Sequence, residues 1–137
     1  MLEGVRLLER AGQMRRAGPY QVQAAIAACH AEARSWSETD WTQIVMLYEG
    51  LVRMTGSSVV RLNRAIALSH VAGAERALAE VDGMKDELDR YHLYHATRAA
   101  LLRDLGRTEE ARTADRRALA LTDNPAERAL LTERIEA

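Results

Sequence analysis

The chain has 137 residues, a length typical of one domain that buries roughly two-thirds of the surface of its unfolded chain. Its 19 basic and 20 acidic side chains give a formal net charge of −1, and they form no basic run that could follow the phosphates of a nucleic acid. Two prolines, no phenylalanine and an abundance of Ala, Leu, Arg and Glu favour helices throughout. We therefore predict an all-α protein that makes no direct contact with nucleic acid.

The sequence carries no signal for secretion or for membrane insertion. The single cysteine, Cys29, excludes an internal disulfide and suits a reducing compartment. No apolar run reaches the length of a membrane span, and the amphipathic start of the chain contains Glu3 and Glu9, unlike a signal peptide. We therefore expect a cytoplasmic protein that does not bind membranes.

The first two predicted helices lie before residue 35. A short first helix has apolar residues at three-residue spacing, which are Leu2, Val5, Leu8 and Ala11. Gly18-Pro19 starts a second helix that runs to about Arg34, because proline needs no hydrogen-bond partner at the first helical position. The buried stripe predicted for this second helix consists of Val22, Ala25, Ile26 and Cys29. A polar loop over residues 35–39 follows.

Capping signals mark the third and fourth helices. Asp40 followed by Gln43 is a capping-box pattern. The helix it begins has apolar residues at helical spacing, namely Trp41, Ile44, Val45, Tyr48, Leu51 and Val52. Gly56-Ser57-Ser58 ends this helix and caps the fourth, which stops at Gly73.

The second half of the chain predicts a fifth helix over residues 74–81 and two further helices within 91–121. Gly106 joins those two, because glycine adopts the left-handed conformation of a helix end without a steric penalty. We expect Thr108 to cap the helix that follows. Asn124-Pro125, with Glu127 after them, starts a last helix. The total is about eight helices, arranged as antiparallel hairpins.

The hairpin around Gly106 resembles a tetratricopeptide (TPR) unit. Its small residues, which are Ala99, Gly106, Ala111 and Ala118, stand where two antiparallel helices approach closely. The 33 residues from Gly73 to Gly106 are close to the TPR period of about 34 residues. The pattern departs from the repeat at Asp115, where a large aromatic residue is usual, and at His95, where Trp is usual. The fold expected from this resemblance is a TPR-like right-handed α-solenoid.

Four blocks of sequence, in a fixed order over most of the chain, carry a wider resemblance. They are GPYQVQAAIAACHAEA at 18–33, TDWTQIVMLYEGL at 39–51, SSVVRLNRAIAL at 57–68 and YHLYHATRAALLRDLGRTEEAR at 91–112. Together they resemble the extracytoplasmic-function (ECF) RNA polymerase sigma factors that carry a long C-terminal TPR-like extension. Residues 3–11 are also similar to the family's segment just before Gly-Pro-Tyr.

This resemblance implies a role in transcription regulation. In such sigma factors the N-terminal regions bind the polymerase core and the promoter, partly through a helix-turn-helix, and neither region is present in this sequence. Residues 1–137 are therefore expected to be a single TPR-like domain, the C-terminal fragment of a longer sigma factor. The implied partners are its own sigma regions, RNA polymerase or a regulator, and promoter DNA is reached only through the missing regions.

Catalytic patterns are weak. His92 and His95 are three residues apart on one predicted helix and could share a metal with Asp89 or Cys29, but helical metal sites bring more convergent donors. The alternative for His95 is packing, with its ring filling a groove and donating one hydrogen bond. Cys29 and His30 are adjacent, so their side chains point about 100° apart and cannot act as nucleophile and base. We predict no enzyme activity, no metal site and no cofactor.

Polar residues on stacked helices are candidates for binding a protein partner. The candidates are Gln21, Asn63, Arg64, Arg98 and Arg103. Asn63 could hold a backbone amide through its donor and acceptor, and Arg98 and Arg103 could make bidentate contacts to acidic groups. The alternative is that these residues serve the fold, with Asn63 bridging helices and the arginines pairing with acidic residues on adjacent helices.

Two function classes remain open from the sequence. The first is a non-catalytic regulatory domain of an ECF-type sigma factor, and the second is a free-standing TPR-like adaptor that binds a peptide or protein. Sigma-type core-binding and helix-turn-helix sequences encoded upstream of Met1 would select the first class.

Overall fold

In the computed structural model, residues 18–32 and 39–137 are described, and these residues form eight α-helices and no β-strand. The helices are α1 (Pro19–Glu32), α2 (Trp41–Thr55), α3 (Ser58–Ala72), α4 (Ala74–Asp82), α5 (Lys85–Leu88), α6 (His92–Asp104), α7 (Thr108–Leu121) and α8 (Pro125–Glu136). The described part of the chain is therefore all-α, as its composition predicts. None of these helices has the length and apolar character needed to cross a bilayer.

Some sequence predictions cannot be compared with this structure. The predicted first helix and the loop at 35–38 lie outside the described residues, as does the predicted end of the second helix beyond Glu32.

The chain divides into two compact units, of which the first ends at Val71 and the second is Ala72–Ala137. A single domain over residues 1–137 stays a prediction.

Local capping contacts fix the ends of α2 and α3 in the first unit. The Asp40 carboxylate accepts a hydrogen bond from the Gln43 backbone N–H at 3.1 Å, which confirms the predicted cap of α2. Gly56 ends α2 in the left-handed conformation. The Ser57 hydroxyl then accepts a hydrogen bond from the Val60 N–H at 3.3 Å, so α3 begins directly after α2.

The first unit has a core built from one face of each of its three described helices. That core contains Val22, Ala25, Ile26, Cys29, Ile44, Val45, Leu47, Leu51, Val60, Ala67 and Leu68. The stripe predicted for α1 is confirmed, because all four of its residues are buried there. The rings of Trp41, at the start of α2, and His70, near the end of α3, stack with their centroids 3.9 Å apart. The two helices therefore run antiparallel.

The turn between α6 and α7 confirms the predicted role of Gly106, whose φ is 76°. The Arg107 N–H donates to the Leu102 carbonyl and the Gly106 N–H donates to the Arg103 carbonyl, both at 2.9 Å. These two bonds form a Schellman motif, in which the left-handed residue lets the chain reverse while the last carbonyls of the helix remain bonded.

The predicted cap at Thr108 is wrong. Thr108 is the first residue of α7, and Arg107 occupies the N-cap position without a side-chain hydrogen bond to the helix. The physical reason is the short turn: Arg107 completes the Schellman motif with its N–H, and its carbonyl already accepts from the Ala111 N–H at 3.0 Å. Thr108 is therefore inside the first helical turn, where its hydroxyl cannot cap.

The three long helices of the second unit are α6, α7 and α8, and each packs against the next one in the chain. Ala99 on α6 and Ala111 and Ala118 on α7 have no solvent exposure, so their small side chains let the two helices approach closely, as predicted. The pair formed by α6 and α7 is the most extensive helix contact, and α8 then packs against α7. Asn124 caps α8 by accepting from two backbone N–H groups, with Pro125 at the first helical position, and this start was also predicted.

A short helix, α5, was not predicted. It is a single turn between α4 and α6, and it begins without a side-chain cap at Met84. Met84 and Leu88 are four residues apart, and both are buried. Burial of these two side chains therefore stabilises this helical turn, for which the sequence contains no capping signal.

Candidate functional site

The five predicted partner-binding residues lie on three helices. Gln21 is exposed on α1, Asn63 and Arg64 are on α3, and Arg98 and Arg103 are on α6. The first three belong to the first unit and the last two to the second unit. The structure therefore does not bring all five together within one unit.

Each of the three arginines pairs with a carboxylate on another helix of its own unit. Arg64 Nη2 lies 3.1 Å from Glu49 Oε1 on α2. Arg98 Nε donates to Asp82 Oδ1 on α4 at 2.8 Å. Arg103 Nη1 lies 2.5 Å from Asp115 Oδ2 on α7. These contacts are the ones expected if the arginines stabilise the fold.

Asn63 has a different environment, on the exposed side of α3. Val59, Asn63 and Ile66 follow one another at spacings of four and three residues, which places them on one helix face. All three are exposed, and the two apolar side chains have exposed fractions of 39% and 38%. We call these three residues the α3 face. An amide between two exposed aliphatic side chains combines apolar area with a group that can donate and accept, as interface centres do.

A buried ionic cluster joins α6, α7 and α8. Asp115 has no solvent exposure, and its two carboxylate oxygens face Arg103 and Arg134. Arg134 also donates to the Ala96 carbonyl at 3.2 Å, and Arg103 donates to the Arg134 carbonyl at 3.1 Å. The carboxylate contacts are ion pairs by distance, but neither oxygen accepts a hydrogen bond of good geometry. Arg103 is thus held between α7 and α8 by the Asp115 carboxylate and the Arg134 carbonyl.

The second unit also contains a solvent-accessible cavity of about 460 Å³, which we call the charged cavity. Its walls come from the end of α4, from α5 and the residue after it, and from facing sides of α6 and α7. The lining residues are Asp82, Lys85, Asp89, Tyr94, His95, Arg98, Thr113, Ala114 and Arg117. Of the predicted site residues, only Arg98 lies here.

Tyr94 forms part of the buried wall of the charged cavity. It is 1% exposed. Burial raises the pKa of its phenol above the ordinary value of 10.0, the carboxylates of Asp82 and Asp89 raise that pKa further, and the guanidinium of Arg98 opposes them. The phenol therefore carries its proton at neutral pH and can act as a hydrogen-bond donor.

His95 packs as the sequence suggests. It is buried, and its Nε2 donates to the Asp89 carbonyl at 2.6 Å, because a carbonyl oxygen can only accept. His92 instead places Nε2 2.6 Å from Glu127 Oε2 on α8. The two rings thus contact different partners, and no cluster of three His, Cys, Asp or Glu side chains suited to a metal occurs within 18–32 and 39–137. Cys29 is buried while its neighbour His30 is exposed, so their side chains diverge as expected.

No pattern in the sequence marks Lys85, Tyr94 or Arg117 as a binding residue, although all three line the charged cavity. The spacing of some lining residues does indicate that they share a helix face. Tyr94 and Arg98 are four residues apart on α6, and Thr113 and Arg117 are four apart on α7, so each pair shares a helix face. Only the tertiary position of α5 adds Lys85 to them.

The described residues form an all-helical fold. A comparison with known proteins found one relative. An uncharacterized protein of Rhizobium meliloti (strain 1021) is 46% identical to the chain over 134 residues, which cover 98% of this chain and 32% of that protein. The chain thus spans about a third of the length of the curated relative it matches. No protein-family model matches the chain. No solved structure matches it.

Proposed function

We propose that this chain is a non-catalytic protein-interaction domain of an ECF-type RNA polymerase sigma factor, and that it regulates the transcription initiated by the rest of that polypeptide. Its partner is a protein surface: the sigma regions of its own polypeptide, the polymerase or a regulator. It acts in the cytoplasm, where transcription takes place, and it takes no cofactor. The α3 face is the observation that carries the interaction role.

The positions of the four resembling blocks support the sigma-factor assignment. The blocks at 39–51 and 57–68 fall on α2 and α3, and the block at 91–112 spans all of α6, the Gly106 turn and the start of α7. The described part of the first block coincides with α1 and the residue before it. The similarity therefore follows structural elements and is not scattered over loops.

The longer relative favours an attached domain over a free-standing adaptor. The aligned region makes up 32% of the Rhizobium meliloti protein, so a homologous helical domain is joined there to about twice its own length of other sequence. Such an arrangement fits a module that modulates the polypeptide to which it is attached.

A TPR-like right-handed α-solenoid is the architecture we propose for this domain. Gly73 and Gly106 are 33 residues apart, and both have positive φ, at 93° and 76°. Within the second unit, α7 runs antiparallel to both of its neighbours. The contacts His92–Glu127 and Arg134–Ala96 align α6 parallel to α8, as the first helices of successive repeats align in a solenoid.

The α3 face is suited to a protein partner and not to nucleic acid. Near-zero net charge provides no counterion release toward duplex DNA. Val59 and Ile66 instead offer apolar area around the Asn63 amide, and burial of such a group at an interface is favourable when a partner satisfies both its donor and its acceptor.

The test is binding of the 137-residue chain to separately prepared sigma regions of the same polypeptide and to RNA polymerase, measured by calorimetry. We expect binding to at least one of them. Asn63→Ala should weaken it by about 1–2 kcal/mol, because the partner's polar group loses its hydrogen bond. Thr132→Ala, which removes an exposed polar side chain from α8, is the matched control and should leave the affinity unchanged.

Two results would contradict the proposal. One is the absence of binding to both the sigma regions and the polymerase. The other is tight binding of the isolated chain to promoter DNA that weakens steeply with salt, since such binding requires a phosphate-neutralising surface.

A further inference from the structure

The charged cavity of the second unit presents more hydrogen-bond donors than its own residues use. Arg98 bonds Asp82 through Nε, which leaves the N–H groups of both its Nη atoms. Arg117 Nη2 lies 3.6 Å from Asp89 Oδ2, which is too long for a hydrogen bond. Lys85 is exposed at the mouth of the cavity and adds three ammonium donors.

Tyr94 provides a second and independent indication of a ligand. Its ring is buried, it lines the cavity, and its hydroxyl has no hydrogen-bond partner in the part of the chain that the structure describes. The hydroxyl can therefore donate a hydrogen bond to an acceptor atom that enters the cavity.

The charge of the cavity suits an anion. Lys85, Arg98 and Arg117 face two carboxylates, those of Asp82 and Asp89, so these five side chains together carry one net positive charge. A single carboxylate balances that charge, whereas a doubly charged phosphate would leave one excess negative charge beside the two aspartates.

We infer that the charged cavity is a docking site for an acidic side chain, Asp or Glu, on the surface of the protein partner. The carboxylate enters between Arg98 and Arg117 and accepts a hydrogen bond from the Tyr94 hydroxyl, while Lys85 contributes charge at the mouth. Because the cavity opens to solvent, a side chain projecting from a folded surface can reach it. This inference rests on the proposed function, since it specifies how a protein partner is recognised, and it adds a second contact region to the α3 face.

The experiment uses the 137-residue chain and a short fluorescein-labelled oligoglutamate peptide with both ends blocked, so that only side-chain carboxylates are offered. Binding is followed by fluorescence anisotropy at low salt. Tyr94→Phe keeps the ring and removes the hydroxyl, and Arg117→Ala removes one cation of the cavity. Each should weaken binding about tenfold, the effect of losing one charge-assisted hydrogen bond. Unlabelled acetate should compete for the site.

Arg116→Ala is the matched control, because Arg116 is exposed on the same helix, next to Arg117, and does not line the cavity. It removes the same charge and should change the affinity less than about twofold. The assignment is overturned if the wild-type chain does not bind the peptide, if Arg116→Ala weakens binding as much as Arg117→Ala, or if acetate does not compete.

These outcomes are separable from those that test the proposed function. The peptide assay contains neither sigma regions nor polymerase, so failure of the chain to bind them leaves the peptide result intact. Conversely, normal binding to the sigma regions, combined with wild-type peptide affinity in Tyr94→Phe and Arg117→Ala, would overturn only the cavity assignment.

Discussion

At the residue scale, burial and ion pairing act in opposite directions on the Asp115 carboxylate. A carboxylate with no solvent exposure loses its hydration, and the attraction of two guanidinium groups must offset that loss. Both arginines retain partial exposure, so they remain partly hydrated while the carboxylate does not. The cluster links α6, α7 and α8, and an apolar group of similar size could join the same helices without the desolvation cost.

The first prediction is that Asp115→Leu destabilises the chain by about 3 kcal/mol, because it leaves two arginines facing an apolar side chain. The triple variant Asp115→Leu, Arg103→Met, Arg134→Met removes the whole cluster and should recover most of that loss. Urea unfolding followed by circular dichroism measures both free energies. A single variant as stable as the wild type would show that the ionic contacts contribute nothing to stability.

The second prediction concerns alkaline pH and the two tyrosines with raised pKa values. Burial raises the pKa of Tyr48, and burial and two aspartates raise that of Tyr94. Because the folded state binds these protons more tightly than the unfolded state, their stabilising contribution is fully present below about pH 10 and is lost as the pH rises through the folded-state pKa values. The free energy of unfolding should therefore fall as the pH rises above about pH 10.

The variant Tyr94→Phe isolates the contribution of one tyrosine to this pH dependence. Its unfolding free energy should fall less than that of the wild type over the same pH range, and ultraviolet titration should show one fewer late-ionising phenol. Identical pH dependence of the two proteins would contradict the raised pKa of Tyr94.

At the element scale, the α6–α7 hairpin depends on one backbone conformation. Gly106 has a φ of 76°, and a Cβ added there would meet no atom within 4 Å. The first side-chain atom of a substituted residue therefore meets no obstacle beyond the neighbouring chain, so the main cost of substitution is the strain of the left-handed conformation.

The third prediction is that Gly106→Val lowers the free energy of unfolding by about 1–2 kcal/mol, because a β-branched residue is strained at positive φ. Gly50→Ala is the control: Gly50 lies inside α2 with room for a Cβ, and alanine there should stabilise the chain by roughly 0.5–1 kcal/mol. Thermal unfolding measures both variants. An unchanged midpoint for Gly106→Val would contradict the turn assignment.

The elements that could be predicted from sequence are those with local chemical signals. Asp40, Gly106 and Asn124 act through hydrogen bonds or backbone freedom within a few residues, so their roles follow from the sequence nearby. The α5 turn has no such signal, because burial of Met84 and Leu88 against distant residues forms it. The same reason limits how much of the candidate site can be predicted. Arg98 could be proposed from its residue type, whereas Lys85 and Tyr94 lie near it only through tertiary packing.

At the scale of the whole molecule, the charge balance and the exposed surfaces indicate the same kind of partner. The formal net charge of −1 gives no general attraction to a polyanion. The α3 face of the first unit is apolar around one amide, and the charged cavity of the second unit is polar with one net positive charge. The first suits an apolar patch on a protein surface, and the second suits an exposed acidic side chain.

We propose that the chain regulates a sigma factor through protein contact. The most direct measurement is promoter-specific transcription in vitro by RNA polymerase with the complete sigma polypeptide, compared with the same polypeptide lacking this chain. We predict that the deletion changes promoter-specific transcription severalfold, that Asn63→Ala shifts it in the same direction, and that Thr132→Ala does not. Equal transcription from the intact and the shortened polypeptides would contradict the account.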